Sequence, residues 1–166
     1  MYGSPVPIGN FHVVESFDCG KEPLDVFLKK YASQNEVRFL SRTFVIAGRD
    51  NRVVGYYTLA AAGVAHEEAP LELKKRLPKY PIPMILLARL AIDRNVQGQG
   101  LGAALLKDAF RKAAAVSEIV GARALLVHAK DEEAKAWYKK YGFVASPTDP
   151  LHLFLPMETI KGILPP

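Results

Sequence analysis

The glycines that follow an apolar stretch in mid-chain are the residues of this sequence best suited to bind an anion. The segment RLAIDRNVQGQGLGAALL, residues 89–106, places Gly98, Gly100 and Gly102 just before a run of apolar residues at helical spacing. Glycine lets the backbone approach a ligand closely, and the first N–H groups of a helix favour a negative charge. The spacing therefore predicts an anion-binding loop.

Other interpretations of the glycines are weaker. Gly98, Gly100 and Ala103 loosely satisfy the dinucleotide-binding pattern G-x-G-x-x-G/A, and Glu118 follows about 20 residues later. However, Glu118 falls inside the predicted helix, and the segment DRNVQ separates the glycines from the preceding strand. A Walker A loop is excluded because no G-K-S/T follows. A structural turn alone would need fewer glycines, since each one costs backbone entropy on folding.

Strands and helices alternate on both sides of this loop. MILLARLAID, residues 84–93, is a near-continuous apolar run, which is typical of a central strand covered on both faces. The loop leads into a helix that we expect to end at Gly121, and the buried strand ARALLVHA follows. Asp131 is a good N-cap for the next helix, DEEAKAWYKKY. The other predicted elements are a first strand (HVVESF, 12–17), a helix (23–40), a hairpin (43–64), a short helix (69–77), a final strand pair (FVAS and LHLFLP) and a C-terminal tail (METIKGILPP). This order predicts one mixed α/β domain over residues 1–166.

Composition and charge narrow the class of protein. The chain has 49% hydrophobic and 23% charged residues, and no apolar run approaches the roughly 20 residues of a membrane span. The N-terminus lacks the basic and apolar regions of a secretory signal, and a single cysteine, Cys19, excludes an internal disulfide. Both observations predict a cytoplasmic protein. The net charge of +5 is compatible with a polyanionic partner, a phosphorylated ligand or no particular partner.

Two spaced motifs resemble the GNAT acetyltransferase superfamily. That superfamily carries Q/R-x-x-G-x-G/A after a core strand, and this chain has QGQGLG at residues 97–102. Its second block has a small polar residue after a strand, then alanine, tyrosine and Gly-Phe. The matching residues here are Asp131, Ala134, Tyr138, Gly142 and Phe143. The polar position is usually asparagine, so Asp131 departs from the family pattern.

This resemblance implies a GNAT (acyl-CoA N-acyltransferase) fold, with a mixed central sheet, two splayed core strands and flanking helices. It also implies acetyl-CoA as the co-substrate and no metal. The implied coenzyme-binding residues are Leu90, Ala91, Ile92, Gln97, Gly98, Gln99, Gly100, Leu101, Gly102, Asp131 and Tyr138.

Tyr138 stands at the position of the family's general acid, which protonates the leaving thiolate. Its spacing alone would fit a packing residue of an amphipathic helix, but the neighbouring motif favours catalysis. His128 and His152 lie in strand patterns typical of core histidines, and neither is assigned as a base. An acceptor α-amine with a pKa of roughly 8 is already partly neutral, so no base is obviously required.

Longer stretches resemble a narrower group within the superfamily. The TacT/AtaT-type toxins of bacterial toxin–antitoxin modules are similar to this chain over FDCGKEPLDVFLKKYA, GYYTLAAAGV, PIPMILLARLAIDRNVQGQGLGAALLKDA and most of residues 120–156. The resemblance implies acetylation of the α-amine of aminoacyl-tRNA, a block of translation, a homodimer and a ribbon-helix-helix antitoxin. The alternatives are a GNAT enzyme for a small amine or protein N-terminus, or a non-enzymatic acetyl-CoA-binding module.

A basic surface suits transfer RNA, whose affinity for proteins comes largely from its phosphates. Arg76, Lys79, Arg89 and Arg94 flank the predicted acceptor side and are the predicted RNA contacts. Arg89 lies in an apolar strand, and it is equally suited to be a structural ion-pair partner.

Overall fold

Within the described residues, the alternating and apolar segments form seven β-strands, and the amphipathic segments form helices. The computed structural model describes residues 2–166, so the first residue of the predicted domain lies outside the described part. The strands are β1 (Val6–Pro7), β2 (Arg42–Ala47), β3 (Val53–Val64), β4 (Ile82–Ile92), β5 (Ala124–His128), β6 (Val144–Ala145) and β7 (His152–Pro156). The α-helices are α1 (Glu22–Val26), α2 (Ala32–Val37), α3 (Leu71–Lys74), α4 (Leu101–Ser117), α5 (Glu132–Lys139) and α6 (Met157–Ile163). A π-helical turn, Phe27–Tyr31, joins α1 to α2.

The strands form one mixed sheet in the order β1-β2-β3-β4-β5-β7-β6. β4 and β5 are parallel, whereas the β1–β2, β2–β3, β5–β7 and β6–β7 pairs are antiparallel. The parallel ladder runs from Met84↔Ala124 to Leu87↔Val127, and β4 itself continues to Ile92. The mixed sheet with flanking helices confirms the predicted fold class.

The chain divides into two compact units, and β3 and β4 each run through both. The first unit comprises the chain up to Ala60 together with Ala88–Ala109. In its core, the Tyr56 hydroxyl donates a hydrogen bond of 2.6 Å to the carbonyl oxygen of Leu24 in α1. The buried core residues of this unit are Phe17, Cys19, Phe27, Leu28, Ala32, Val45, Val53, Tyr56 and Ala91.

The second unit comprises Ala61–Leu87 together with Phe110–Pro166. Its core lies between α3 and strands β3, β4, β5 and β7, and its buried residues are Val64, Ala69, Leu73, Ile82, Met84, Ala124, Leu126 and Phe154. None of the helices described in residues 2–166 is both long and apolar enough to span a membrane.

Two predicted elements are wrong. Residues 12–17 are not a strand. A turn at Gly9–His12 precedes Val13 and a turn at Val14–Phe17 follows it, so within this segment only Val13 forms a β-bridge, with Arg52. The first strand is Val6–Pro7 instead. The predicted tail is helix α6, which buries Met157 and Ile160 at the i, i+3 spacing of one helix face. The predicted hairpin, the central strand and the final strand pair are confirmed.

Candidate active site

The glycine run forms an exposed turn between β4 and α4. Gly98 and Gly100 have φ angles of +84° and +80°, in the left-handed region that favours glycine. A Cβ added at either residue would meet no atom within 4 Å. The backbone conformation, rather than lack of space, therefore requires glycine at both positions, and the open side of the turn leaves room for a ligand.

Helix α4 begins at Leu101, immediately after this turn, and extends over 17 residues. The hydrogen bond from Ala104 N to the carbonyl of Gly100 is 3.1 Å long, so the N–H groups just before residue 104 have no partner within the helix. These groups and the helix dipole, roughly half a positive charge, make the turn a suitable anion site. The predicted helix after the glycines is confirmed.

Two side chains brace the entrance to this turn. The Nε2 group of Gln97 donates to the carbonyl oxygens of Ile92, at 2.9 Å, and Cys19, at 3.2 Å. The carboxylate of Asp93 accepts from the backbone N–H groups of Asn95, at 2.9 Å, and Asp18, at 3.0 Å. Sequence reasoning missed Asp93, although Asp is a common turn residue because its carboxylate can accept a hydrogen bond from the backbone N–H two residues later. The turn is therefore held by named side chains and is not a free loop.

At the end of β4, successive main-chain N–H groups point alternately toward β3 and toward the opposite edge of the strand. Asp93 N donates to the carbonyl of Val54 in β3, at 2.8 Å. Because N–H groups alternate along a strand, those of Leu90 and Ile92 lie on the edge opposite β3. The N–H of Ala91 lies on the β3 side, so only Leu90 and Ile92 of this predicted trio direct an N–H away from β3.

Tyr138 lies in the last turn of α5, a helix that the carboxylate of Asp131 caps by accepting from Ala134 N at 2.8 Å. Tyr138 is 9% exposed, and its ring packs edge-on against Phe143, with 5.3 Å between ring centroids. Burial raises the pKa of its phenol. No residue of the described chain hydrogen-bonds to the Tyr138 hydroxyl, so the phenol is protonated at neutral pH and its proton is available to a ligand.

The two histidines that were predicted as core residues lie at the end of the β5–β7 pair. Their rings stack with 4.0 Å between centroids, and His152 Nε2 lies 3.2 Å from Asp149 Oδ2. His128 is exposed, so the core interpretation is wrong for it.

The predicted RNA contacts fall into both units. In the first unit, Arg94 pairs with Asp18 at 3.1 Å. Arg89 lies 4.7 Å from the centre of the Phe27 ring and donates to the carbonyl of Ala88 at 2.9 Å. No acidic side chain pairs with Arg89 within the described residues, so the ion-pair alternative does not describe it. In the second unit, Arg76 and Lys79 are exposed, and Arg76 has a φ of +67°.

Comparison with known proteins decides the family. The model of the acetyltransferase (GNAT) domain matches residues 41–145. The tRNA-acetylating toxin of Mycobacterium tuberculosis (strain ATCC 25618 / H37Rv) is 45% identical over 163 residues, which cover 98% of this chain and 97% of that protein. The chain belongs to the GNAT acetyltransferase family.

Solved structures of GNAT toxins share the whole architecture. AtaT complexed with acetyl-methionyl-tRNAfMet has a TM-score of 0.89 and 30% identity, covering 96% of this chain and 98% of that one. An AtaT tyrosine-to-phenylalanine mutant bound to acetyl-CoA and the C-terminus of the antitoxin AtaR has a TM-score of 0.82 and 29% identity, covering 97% of both chains. The predicted resemblance to GNAT toxins is confirmed, and this GNAT protein is an acetyltransferase.

Proposed function

We propose that this acetyltransferase transfers the acetyl group of acetyl-CoA to the α-amine of the amino acid on charged tRNA, and thereby blocks translation. The observation that carries the proposal is the 45% identity to a tRNA-acetylating toxin along almost the whole of both chains. A GNAT toxin of closely similar fold has been solved with an acetylated aminoacyl-tRNA, which supports the same substrate class here.

The turn at Gln97–Gly102 fits the pyrophosphate of the coenzyme. It offers backbone N–H groups at a helix N-terminus, two glycines in the left-handed region and open space on their outer side. The N–H groups of Leu90 and Ile92 are the proposed partners of the pantetheine amides, and Asp131 contributes a polar group at the start of α5. The coenzyme supplies an activated acetyl thioester.

The chain's own groups then promote direct transfer. The acceptor amine attacks the thioester carbonyl carbon, a C–N bond forms, and the C–S bond breaks. Tyr138 gives its proton to the departing thiolate, and the new amide nitrogen loses a proton to solvent. A main-chain N–H at the end of β4 donates to the carbonyl oxygen as negative charge develops there. Because burial keeps Tyr138 protonated, the acid is ready before the acceptor binds.

The proposal includes partners. The basic residues Arg76, Lys79, Arg89 and Arg94 contact RNA phosphates, and the net charge of +5 supports attraction of the RNA. We expect a homodimer and inhibition by a ribbon-helix-helix antitoxin. The AtaT structure with the C-terminus of AtaR supports the presence of an antitoxin partner.

Radiolabelled acetyl-CoA and bulk charged tRNA test this activity directly. We expect label in the RNA, released by nuclease as N-acetylaminoacyl-adenosine, and mass spectrometry will identify the amino acid. Chemically deacylated tRNA should stay unlabelled, and Tyr138→Phe should transfer little. Label that goes only to small amines or to peptide N-termini would contradict the proposal and favour the small-substrate alternative.

A further inference from the structure

The turn that follows α2 exposes three large apolar side chains within four residues. Val37, Phe39 and Leu40 are 78%, 80% and 60% exposed, respectively. Large apolar side chains grouped on the surface of a folded protein usually mark a place where another molecule binds. We call residues 37–42 the α2–β2 turn.

The backbone of the α2–β2 turn is held in an unfavourable arrangement. Phe39 has a φ of +60°, in the left-handed region that bulky side chains rarely adopt. Two residues later, the Oγ atom of Ser41 is buried and has no hydrogen-bond partner within the described residues. Backbone strain and unsatisfied polar atoms are concentrated at functional sites. The turn therefore presents Phe39 to solvent at a cost in folding stability.

Charge around Phe39 indicates what kind of molecule it meets. Residues 29–42 contain four basic residues and one acidic residue, Glu36. The Glu36 carboxylate is already engaged, by Arg42 at 2.9 Å and by the backbone N–H of Thr43 at 3.0 Å. A polyanion is favoured at this surface over an acidic peptide, since its repeated phosphates can use several separate cations.

The ring of Phe39 has one face covered and one face open. The Arg42 guanidinium lies 5.1 Å from the ring centre on one side. The remaining face of an 80% exposed ring is open to a flat partner. An unpaired base stacks well on such a face, and a cation behind the ring reinforces the arrangement.

We propose that Phe39, with Arg42 behind it, is a stacking platform for an unpaired base of the RNA acceptor. The inference rests on the proposed function, which it deepens by naming a base-binding residue outside the catalytic machinery. Val37 and Leu40 form an apolar rim that keeps water from the stacked base, and Arg38 reaches the adjoining phosphate. Stacking tolerates every base, so the platform adds affinity without reading sequence.

The position of the turn agrees with this role. Arg89, a predicted RNA contact, packs over Phe27 in the π-helical turn. The same helical segment, through α2, ends at Val37 and leads directly into Phe39. One continuous segment therefore links a predicted phosphate contact to the proposed platform.

Three substitutions of Phe39 and one control test the platform. Phe39→Ala removes the ring, Phe39→Gly removes the ring and also relieves the left-handed φ, and Phe39→Trp keeps a stacking surface. Ile119→Ala is the matched control, because Ile119 is 84% exposed and the change removes exposed apolar area outside the α2–β2 turn. We expect about a tenfold rise in KM for charged tRNA in the Ala and Gly variants. The kcat and the KM for acetyl-CoA should not change, and the variants Phe39→Trp and Ile119→Ala should behave like the parent.

A spectroscopic measurement separates stacking from a structural role. A short single-stranded oligoribonucleotide that carries 2-aminopurine should lose fluorescence on binding the parent protein, because stacking quenches that base. The quench should be lost with Phe39→Gly, which should fold at least as stably as the parent.

Each other outcome has a defined meaning. If the parent acetylates charged tRNA and Phe39→Gly keeps its KM and the quench, the platform is wrong and the proposed function stands. If the parent quenches the probe but acetylates no charged tRNA, the proposed function is wrong and the platform stands. If Phe39→Gly changes only the oligomeric state in sedimentation velocity, the turn is a protein interface and the proposal is overturned.

Discussion

A single negative charge placed in the glycine turn should weaken coenzyme binding, and a matched neutral substitution should weaken it less. Gly100→Asp and Gly100→Asn give side chains of nearly the same size, and Asn and Asp are the non-glycine residues that best tolerate a positive φ. Neither side chain would meet an atom within 4 Å at its Cβ. The conformational cost, about 1 kcal/mol of folding stability, is therefore common to both variants.

The difference between the two variants isolates the interaction with the phosphate. At a separation of about 5 Å, two like unit charges repel by ~0.8 kcal/mol at a dielectric constant of 80 and by ~3 kcal/mol at 20. The turn is exposed, so we expect about 1–2 kcal/mol per phosphate charge. This corresponds to a Kd for acetyl-CoA about five- to thirtyfold higher for Asp than for Asn.

Isothermal titration calorimetry at two salt concentrations measures this difference. The gap between Asp and Asn should shrink between about 0.1 and 1 M salt, because the Debye length falls from ~10 to ~3 Å. Gly121→Asp, which adds the same charge at an exposed glycine outside the turn, should bind like the parent. Equal affinities for the Asp and Asn variants at low salt would show that the turn does not hold the anion.

Four further results are expected. Tyr138→Phe should lower kcat by about a hundredfold or more while the Kd for acetyl-CoA in calorimetry stays unchanged, and parental turnover would remove its role as acid. Since burial raises the pKa of Tyr138, its phenol keeps its proton to higher pH. Initial rates should therefore rise between about pH 6 and 9, as the neutral fraction of the acceptor amine increases. A fall in rate within that range would contradict a protonated Tyr138. Asp131→Ala should lower the free energy of unfolding, measured in urea, by about 1 kcal/mol, whereas the control Asp131→Asn retains the cap. Equal losses in the two variants would contradict the capping role of Asp131. Gly55→Ala should lower stability by about 1 kcal/mol, because its Cβ would lie 2.8 Å from Ile92 Cδ1; an unchanged Tm would show that the Ile92 side chain moves aside.

Local signals in the sequence were sufficient to predict the glycine turn and the N-cap of α5. Gly98 and Gly100 have a positive φ, a conformation that favours glycine, so the residue type alone indicates the backbone conformation there. Asp131 caps α5 through its own backbone neighbourhood, so the interaction spans only three residues. The parallel pairing of β4 with β5 also follows from two apolar runs with a helix between them.

Features that depend on distant residues could not be predicted. HVVESF has the composition of a strand, but only Val13 bridges to Arg52 because turns lie on both sides. The sequence predicts Gln97 as a coenzyme contact, but it gives no sign that the Gln97 side chain also donates to the carbonyl oxygen of Cys19, 78 residues away in sequence. The exposure of Phe39 is likewise invisible in sequence, since an apolar residue after a helix is usually buried.

The side-chain amide of Gln97 limits the chemical lifetime of the folded turn. Its one nitrogen gives hydrogens to two carbonyl oxygens, those of Ile92 and Cys19. A carboxylate has nearly the same shape as the amide but cannot donate a hydrogen bond. Spontaneous deamidation of Gln97 to glutamate would therefore place a carboxylate oxygen next to the carbonyl oxygens of Ile92 and Cys19, and these oxygens repel one another. The glycine that follows leaves this amide sterically open to such hydrolysis. A slow chemical change at a single side chain would thus remove both hydrogen bonds that hold the start of the glycine turn in an aged molecule.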